Sequence, residues 1–472
     1  MSRTLPHSPY PRDRLKPRIL HLGFGAFARA HPMVYLHHGL AQTGGDWGVV
    51  AARLNSGVEA LCALDAERGL YHVAEADGDT TSLHQIGTVI GTSHPARDGA
   101  MAVSDLIATP DLSVILLTIT EKGYCSHNGT LDLSHPGVQA DLAGNNTPCT
   151  AIGTLVAGLR QRRTAGHGGL TLLSCDNQPD NGALTRAAVV GFAKEQDPAL
   201  ADWIEAEVRF PSSMVDRIVP AMTPESYDVI KGSLGHADMN AILCEPFRQW
   251  VIEDNFVGTP PPFEAGGALL VKDVQPFEDM KLRLLNGAHT TLAWLGPLLS
   301  YETVADCMSD TDLPQVLRQL MLAEQASTLT LPEGIDVEHY ADALLQRFRN
   351  TRLQHKLVQI ATDSSQKMPQ RLFAPITCNI AADRPWPISA LAIAAWILGL
   401  RDLAPIADPH QTPLRKAAQQ HDPVTAVLTL SGLVPDALRT DAAFISTVNL
   451  AFAALAHDPR VAIKQALLEH HA

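Results

Sequence analysis

The run Arg18-Ile-Leu-His-Leu22 and the Gly23-Phe24-Gly25-Ala26-Phe27-Ala28 that follows it decide how the N-terminal half of this chain is read. Ile and Leu crowd the first run, which comes after a polar, proline-rich leader and predicts a short buried strand. The second run opens a predicted helix. G-x-G-x-x-A between a strand and a helix is the pattern of a Rossmann turn. The first glycine permits the tight bend, and the second lets backbone N–H groups approach a pyrophosphate. A small third residue, here Ala28, lets helix and strand pack closely. Gly23, Phe24, Gly25, Ala26 and Phe27 are therefore candidate dinucleotide contacts. Ordinary strand-to-helix turns also carry such glycines, and it is the flanking pattern that favours the dinucleotide reading.

Further strands extend the same plan. Trp47–Leu54 predicts a second strand, at whose end an NAD-specific domain usually places an acid for the ribose 2′-hydroxyl. Arg53 and Asn55 stand there instead, so Arg53 reads either as a surface charge or as an adenine-ribose contact that tolerates a 2′-phosphate. Asp111–Thr120 is apolar and β-branched, the clearest buried strand in the chain. Thr120 and Glu121 close it at the end where open α/β sheets carry ligands, although Glu121-Lys122 reads equally well as a solvated pair. A strand ending at Ser174 then runs into Asp176-Asn177-Gln-Pro-Asp-Asn181, where turn and capping roles compete with functional ones. Asn181 reads as a helix cap.

At 472 residues the chain exceeds one comfortable core, and we expect a cofactor domain over 1–272 and a second domain over 273–472. Hydrophobic content of 46% with 18% charged residues fits a soluble globular enzyme. A net charge of −14 argues against nucleic acid or an anionic membrane as a partner. The seven cysteines are scattered, with no C-x-x-C, which reads as reduced thiols of a cytoplasmic protein. Neither H-E-x-x-H nor Cys/His ligand spacing occurs, so no metal is expected and a zinc-dependent alcohol dehydrogenase is disfavoured.

Beyond a Pro- and Gly-rich stretch and a last short strand at Leu269–Val274, the pattern turns helical, with Ala/Leu-rich segments at 313–327, 338–349, 388–401 and 441–456. The fold class expected is α/β: an N-terminal Rossmann-type domain followed by a mainly α-helical C-terminal domain. Near the start of the helical half lies Lys281-Leu-Arg-Leu-Leu-Asn286-Gly-Ala-His289. On a regular helix, with Lys281 at 0°, Asn286 falls near about 140° and His289 near about 80°. Polar groups sharing one side of an apolar helix are expensive to bury without partners or a purpose. Spacing alone equally allows a solvated Lys, a helix-breaking Asn-Gly and a core His.

K-x4-N-x2-H in this setting resembles the signature of the polyol-specific long-chain dehydrogenase/reductase family, which includes mannitol 2-dehydrogenases, fructuronate reductases and D-arabinitol dehydrogenases. Other segments resemble it too. Gly23–His31 follows the family turn except that Ala28 replaces a usual His, and Thr118–Tyr124 matches T-x-T-E-x-G-Y. Ser174–Gly182 matches S-C-D-N-x-P-x-N-G, and Phe210–Ile218 is similar to F-P-N-S-M-V-D-R-I. Ile360–Pro369 resembles I-A-x-D-G-S-x-K-x-P, with Ser364 in place of the usual Gly.

The resemblance implies Lys281 as general base, a role suited to a lysine whose pKa burial pushes down. It implies Asn286 and Asn177 as donors to the developing oxyanion and His289 as the residue that orients substrate. Asp216 and Lys367 are implied near the substrate. Gln359, where mannitol-oxidising members commonly carry Arg, and the basic Lys367/Arg371 pair suit a carboxylate-bearing substrate. The implied activity is a metal-independent, NAD-dependent interconversion of a keto-sugar acid or ketose with its aldonate or polyol. NADP is the alternative cofactor. Fructuronate is the favoured substrate, with D-arabinitol or D-mannitol oxidation the runner-up. A non-catalytic dinucleotide-binding sensor is the reading outside enzymology, and the chain is expected to be a monomer or a weak homo-oligomer.

Overall fold

Strand Lys16–Leu22, with Ile19, Leu20 and Leu22 fully buried, is the centre of a five-stranded sheet. The structure is a computed structural model that describes residues 8–469 apart from 79, 145, 146, 333, 354 and 431. The chain divides into two compact units, Met1–Gln275 and Pro276–Ala472.

In the first unit the spatial order is Val89–Ser93, Trp47–Ala52, Lys16–Leu22, Val114–Leu117, Thr171–Ser174, with every pair parallel. Counted along the chain this is third, second, first, fourth, fifth, the order of the first five strands of a doubly wound dinucleotide-binding sheet. Such strands are covered on both faces, which is why they read as unbroken apolar runs. The expected strand Asp111–Thr120 shortens to Val114–Leu117, and the second strand ends at Ala52 rather than Leu54. The helix after the glycine turn is broken into Ala26–Ala30 and Pro32–Thr43. Pro32 disfavours helical geometry for the residue before it, and His31 accordingly adopts φ −121°, ψ −82°.

The carboxyl edge of the sheet is tied together by one carboxylate. Asp176, just past strand Thr171–Ser174, accepts the N–H groups of Ile119 and Thr120, both at 3.0 Å, and the Tyr124 hydroxyl at 2.7 Å. Burial pushes its pKa up, and these three donors offset only part of that rise. Thr120 sits at φ +62°, ψ 166°, a region costly for a residue with a Cβ, and the Asp176 bond to its N–H helps hold it there.

The second unit is helical. Leu313–Gln319 continues as a π-helical turn, Leu320–Gln325, while Val337–Phe348, Pro387–Asp402 and Ala442–His457 lie within one or two residues of the expected segments. The stretch expected as one helix from Pro276 is α-helical over Gln275–Met280, π-helical over Lys281–Asn286 and α-helical again over Gly287–Leu298. Among the described residues no helix is long and apolar enough to cross a membrane. The seven cysteines are free.

Replacing Asp176 by Ala leaves two loop N–H groups without their acceptor and takes from the buried Tyr124 phenol one of its two partners, the other being Ser174 Oγ. We expect a loss of about 2–4 kcal/mol in the stability of the first unit, read as a lower denaturant midpoint. Amide exchange at Ile119 and Thr120 should accelerate, and unchanged exchange there would refute the tie.

Candidate active site

In the first unit the glycine turn lies at the switch point of the sheet. Gly23 has φ +87°, and a Cβ on it would stand 2.2 Å from the Thr118 carbonyl oxygen, so no other residue fits. Its N–H and that of Phe24 donate to Ala52 O at 2.9 and 3.1 Å, and Thr118 Oγ1 donates to Gly23 O at 2.8 Å. Gly25 differs. A Cβ there would meet only Gly23 O, at 3.6 Å, so the protein leaves open the space that a side chain would take. That is the cradle a closely approaching pyrophosphate needs, and the turn fits a dinucleotide. Ala28 is fully buried, as close helix packing requires. Phe24 is also buried, edge-on to His21, so only its backbone can face a ligand; Phe27 stacks on His31 with centroids 4.9 Å apart.

The remaining first-unit candidates are spread along strand ends. Thr120 and Glu121 are exposed, Glu121 opening a short 3-10 turn. Arg53 lies half-buried across Gly57, where a Cβ would stand 2.1 Å from Nη1. Asn177 is exposed directly after Asp176. Asp216 is buried as the last residue of strand Ser213–Asp216, opposite Gln249. Its neighbour Arg217 binds Glu75, Ala30 O and Glu245 O. Asn181 is not the cap the sequence suggested. It is the first residue inside helix Asn181–Gln196, and its amide bridges Asp176 O and Ser213 O at 2.9 and 2.8 Å while accepting Ser213 N–H.

In the second unit the regular-helix angles expected for Lys281, Asn286 and His289 do not hold, because Lys281–Asn286 is a π turn. The Gly287 N–H reaches back to Leu282 O, five residues earlier, as well as to Arg283 O. One extra residue in a turn gives an i, i+5 pair the relation that i, i+4 has on an α-helix. Asn286 then falls near about 40° and His289 near about −20° from Lys281, so all three share one face. They are 8%, 8% and 6% exposed, which turns that face inward.

Neighbouring segments hold the π turn in place. Arg283 Nη1 donates to Thr328 O and Oγ1 at 2.5 and 2.7 Å. Arg371, in a further π segment at Pro369–Phe373, donates to Asn286 O at 3.4 Å and Thr290 Oγ1 at 3.0 Å. Gln325, ending Leu320–Gln325, donates to Arg371 O and lies where a Cβ on Gly287 would stand 2.7 Å from Nε2. The Asn-Gly pair is thus a close-packing device and breaks no helix.

Beside it lie two half-buried cations. Lys367 gives two of its ammonium protons to Ile360 O and Thr362 O. Burial, with Arg371 nearby, lowers its pKa to about 8, and burial lowers that of Arg371 to about 10. Among the described residues neither forms an ion pair. Gln359 is exposed on the short helix Leu357–Ala361. Ser364 is accommodated because the left-handed residue of this box is Asp363, at φ +54°; the Ser364 hydroxyl accepts Trp294 Nε1–H at 3.2 Å.

Sequence reasoning missed the π turn, whose only trace is the i, i+5 spacing of two polar residues in an apolar helix. It passed over Asp176, although its place at a strand end inside a motif was a signal. Phe348 and His355, which surround the His289 ring, left none. Among the described residues no group of three or more His, Cys, Asp or Glu is placed to hold a metal ion.

Comparison with known proteins accounts for both units. Residues 17–265 match the mannitol dehydrogenase Rossmann domain, and residues 273–456 match the mannitol dehydrogenase C-terminal domain. D-mannonate oxidoreductase of Escherichia coli K12 is 43% identical over 456 residues, covering 94% of each chain. Pseudomonas fluorescens mannitol 2-dehydrogenase, solved as a ternary complex with NAD and D-mannitol, superposes with a TM-score of 0.86 at 33% identity over 98% of this chain and 96% of that one. A D-sorbitol dehydrogenase in substrate-free form gives a TM-score of 0.89 at 30% identity, with the same coverage. Glycine turn, parallel sheet, helical second unit and these matches agree, and the chain belongs to the mannitol dehydrogenase family.

Proposed function

We propose that this chain is an NAD-dependent secondary-alcohol oxidoreductase that interconverts a keto-sugar acid and its aldonate, with fructuronate and D-mannonate foremost. The observation that carries the substrate choice is the pair of half-buried cations, Lys367 and Arg371, neither of which is ion-paired among the described residues, although Asp363 and Asp408 act on Lys367 from farther off. A sugar acid brings the missing negative charge. The likeness to a D-mannonate oxidoreductase supports the same choice.

Bound NAD would supply the hydride acceptor, cradled at Gly23 and Gly25. In the oxidative direction the Lys281 amine takes the hydroxyl proton as hydride leaves the carbinol carbon, and a ketone results. In reduction the Lys281 ammonium returns that proton to the carbonyl oxygen. The Asn286 amide donates to the same oxygen as charge develops on it. His289 is held neutral, its pKa pushed well below the usual value by burial first and further by neighbouring basic groups, among them Arg347, Arg371 and Lys281. A neutral imidazole can bind a neighbouring hydroxyl without competing for the transferred proton. Asn177 and Asp216 keep the roles that the sequence motifs imply for them. The chain's own residues supply the proton and the oxyanion donors in this scheme, and no metal is called for.

The runner-up, D-arabinitol or D-mannitol oxidation, is favoured by the likeness to the mannitol 2-dehydrogenase solved with D-mannitol. A panel followed at 340 nm separates the two readings. NADH should be consumed rapidly with fructuronate or tagaturonate and slowly with fructose or xylulose; a preference for the neutral ketoses would transfer the protein to the polyol branch. NADPH belongs in the same panel because Arg53 stands where an acid would reject it.

Lys281→Ala should lower turnover by about 10²–10⁴-fold, with partial rescue by an added primary amine. Near-normal turnover would remove the base assignment. The charge on Lys367 is lost as pH rises through about 8. KM for a keto acid should therefore climb up to about tenfold from pH 7 to pH 9, while KM for a neutral ketose stays flat. Equal profiles for both substrates would count against a carboxylate at Lys367.

A further inference from the structure

The His289 ring is gripped from two directions. Phe348 stacks on its face, with centroids 4.4 Å apart and planes 22° from parallel, and His355 meets it at 5.1 Å and 82°. Phe348 is the last residue of helix Val337–Phe348 and is 2% exposed. His355 lies in the loop before helix Leu357–Ala361, and that loop is pinned on both sides of Lys356. The Val304 N–H donates to His355 O at 3.0 Å, and the Leu357 N–H donates to Glu302 O at 2.9 Å.

Two features give the grip a purpose. A terminal sp³–sp² torsion such as χ2 of histidine has broad minima, so neighbours, not intrinsic rotamers, decide where the ring plane lies. Moreover, Nε2 of His289 is buried with no hydrogen-bond partner among the described residues. Leaving a buried polar atom without a partner costs free energy comparable to a lost hydrogen bond, and a ligand hydroxyl would satisfy it.

We propose that Phe348 and His355 are positioning residues which clamp the His289 imidazole in one plane and so fix the direction in which Nε2 meets a substrate hydroxyl. This rests on the reading of His289 as the residue that orients substrate. Phe348 touches the ring on its apolar face and has no polar group of its own to offer, so its effect on the reaction passes through His289. His355 adds a second constraint from the edge.

A double-substitution cycle on the full-length enzyme tests the clamp, with kcat and KM measured separately for the best substrate of the panel. Phe348→Leu is expected to lower kcat/KM about tenfold, and to cost nothing further when introduced into His289→Ala. His355→Ala should behave in the same way, whereas His355→Phe, which keeps a ring edge against His289, should restore most of the loss. Should Phe348→Leu fail to fold, the half-buried loop residue His355 carries the cycle alone. Additive losses in the double variants, or full activity in both single variants while His289→Ala is impaired, would overturn the clamp and leave the role of His289 intact. Normal turnover in His289→Ala would overturn the orienting role of His289 and the clamp with it.

Discussion

The hydrogen bond that spans five residues, from the Gly287 N–H back to Leu282 O, is the constraint on which the helical unit's candidate site depends. On an uninterrupted α-helix Lys281 and Asn286 would diverge by about 140°. One added residue in the turn brings them, with His289, onto a single buried face. A π turn is poorer in backbone bonding than the α-helix it interrupts, and it persists where surrounding packing holds it. Here the surroundings include two more π segments, Leu320–Gln325 and Pro369–Phe373. Their Gln325 and Arg371 side chains reach Gly287 and the Asn286 carbonyl. Arg283 ties the same turn to Thr328.

In the dinucleotide-binding unit a single carboxylate has the corresponding task. Asp176 joins the ends of two neighbouring parallel strands and holds Thr120 in a backbone region that a side chain resists. Asn181 then ties the same turn to strand Ser213–Asp216. The exposed Asn177 is presented from a turn anchored just before it by Asp176 and a few residues later by Asn181. Both units therefore follow one principle. Groups proposed to meet a ligand are flanked by buried polar residues whose own bonds are internal.

Charge is distributed to the same end. Although the chain carries a net charge of −14, the second unit half-buries Lys367 and Arg371 with no ion-pair partner for either among the described residues. Partly desolvating two neighbouring cations weakens a fold, and a bound anion would offset that cost. The overall negative charge and the local cationic pair answer different needs: solubility for the one, a small anionic ligand for the other.

Much was legible in the order of residues alone. Apolar runs with β-branched residues marked the parallel strands, and the glycine pattern marked the turn, because strand burial and backbone freedom are local properties of side chains. Ala/Leu-rich periodicity marked the helical half for the same reason. Strand ends were overestimated at Leu54 and Thr120, since the chain leaves the sheet where Ser93 O and the Asp176 carboxylate capture its N–H groups. Asn181 was assigned to a cap, and only its burial between Asp176 and Ser213 revealed a bridge. Residue types and spacing named Lys281, Asn286 and His289, yet their common face required the π turn. The π turn depends on Gln325, Thr328 and Arg371, and the His289 ring plane on Phe348 and His355. Those partners lie tens of residues away along the chain, where no local pattern records them. The sequence by itself determined which chemical groups are present and on which kind of element; tertiary packing decided how they are aimed, because it is distant side chains that hold the turn and the ring in place.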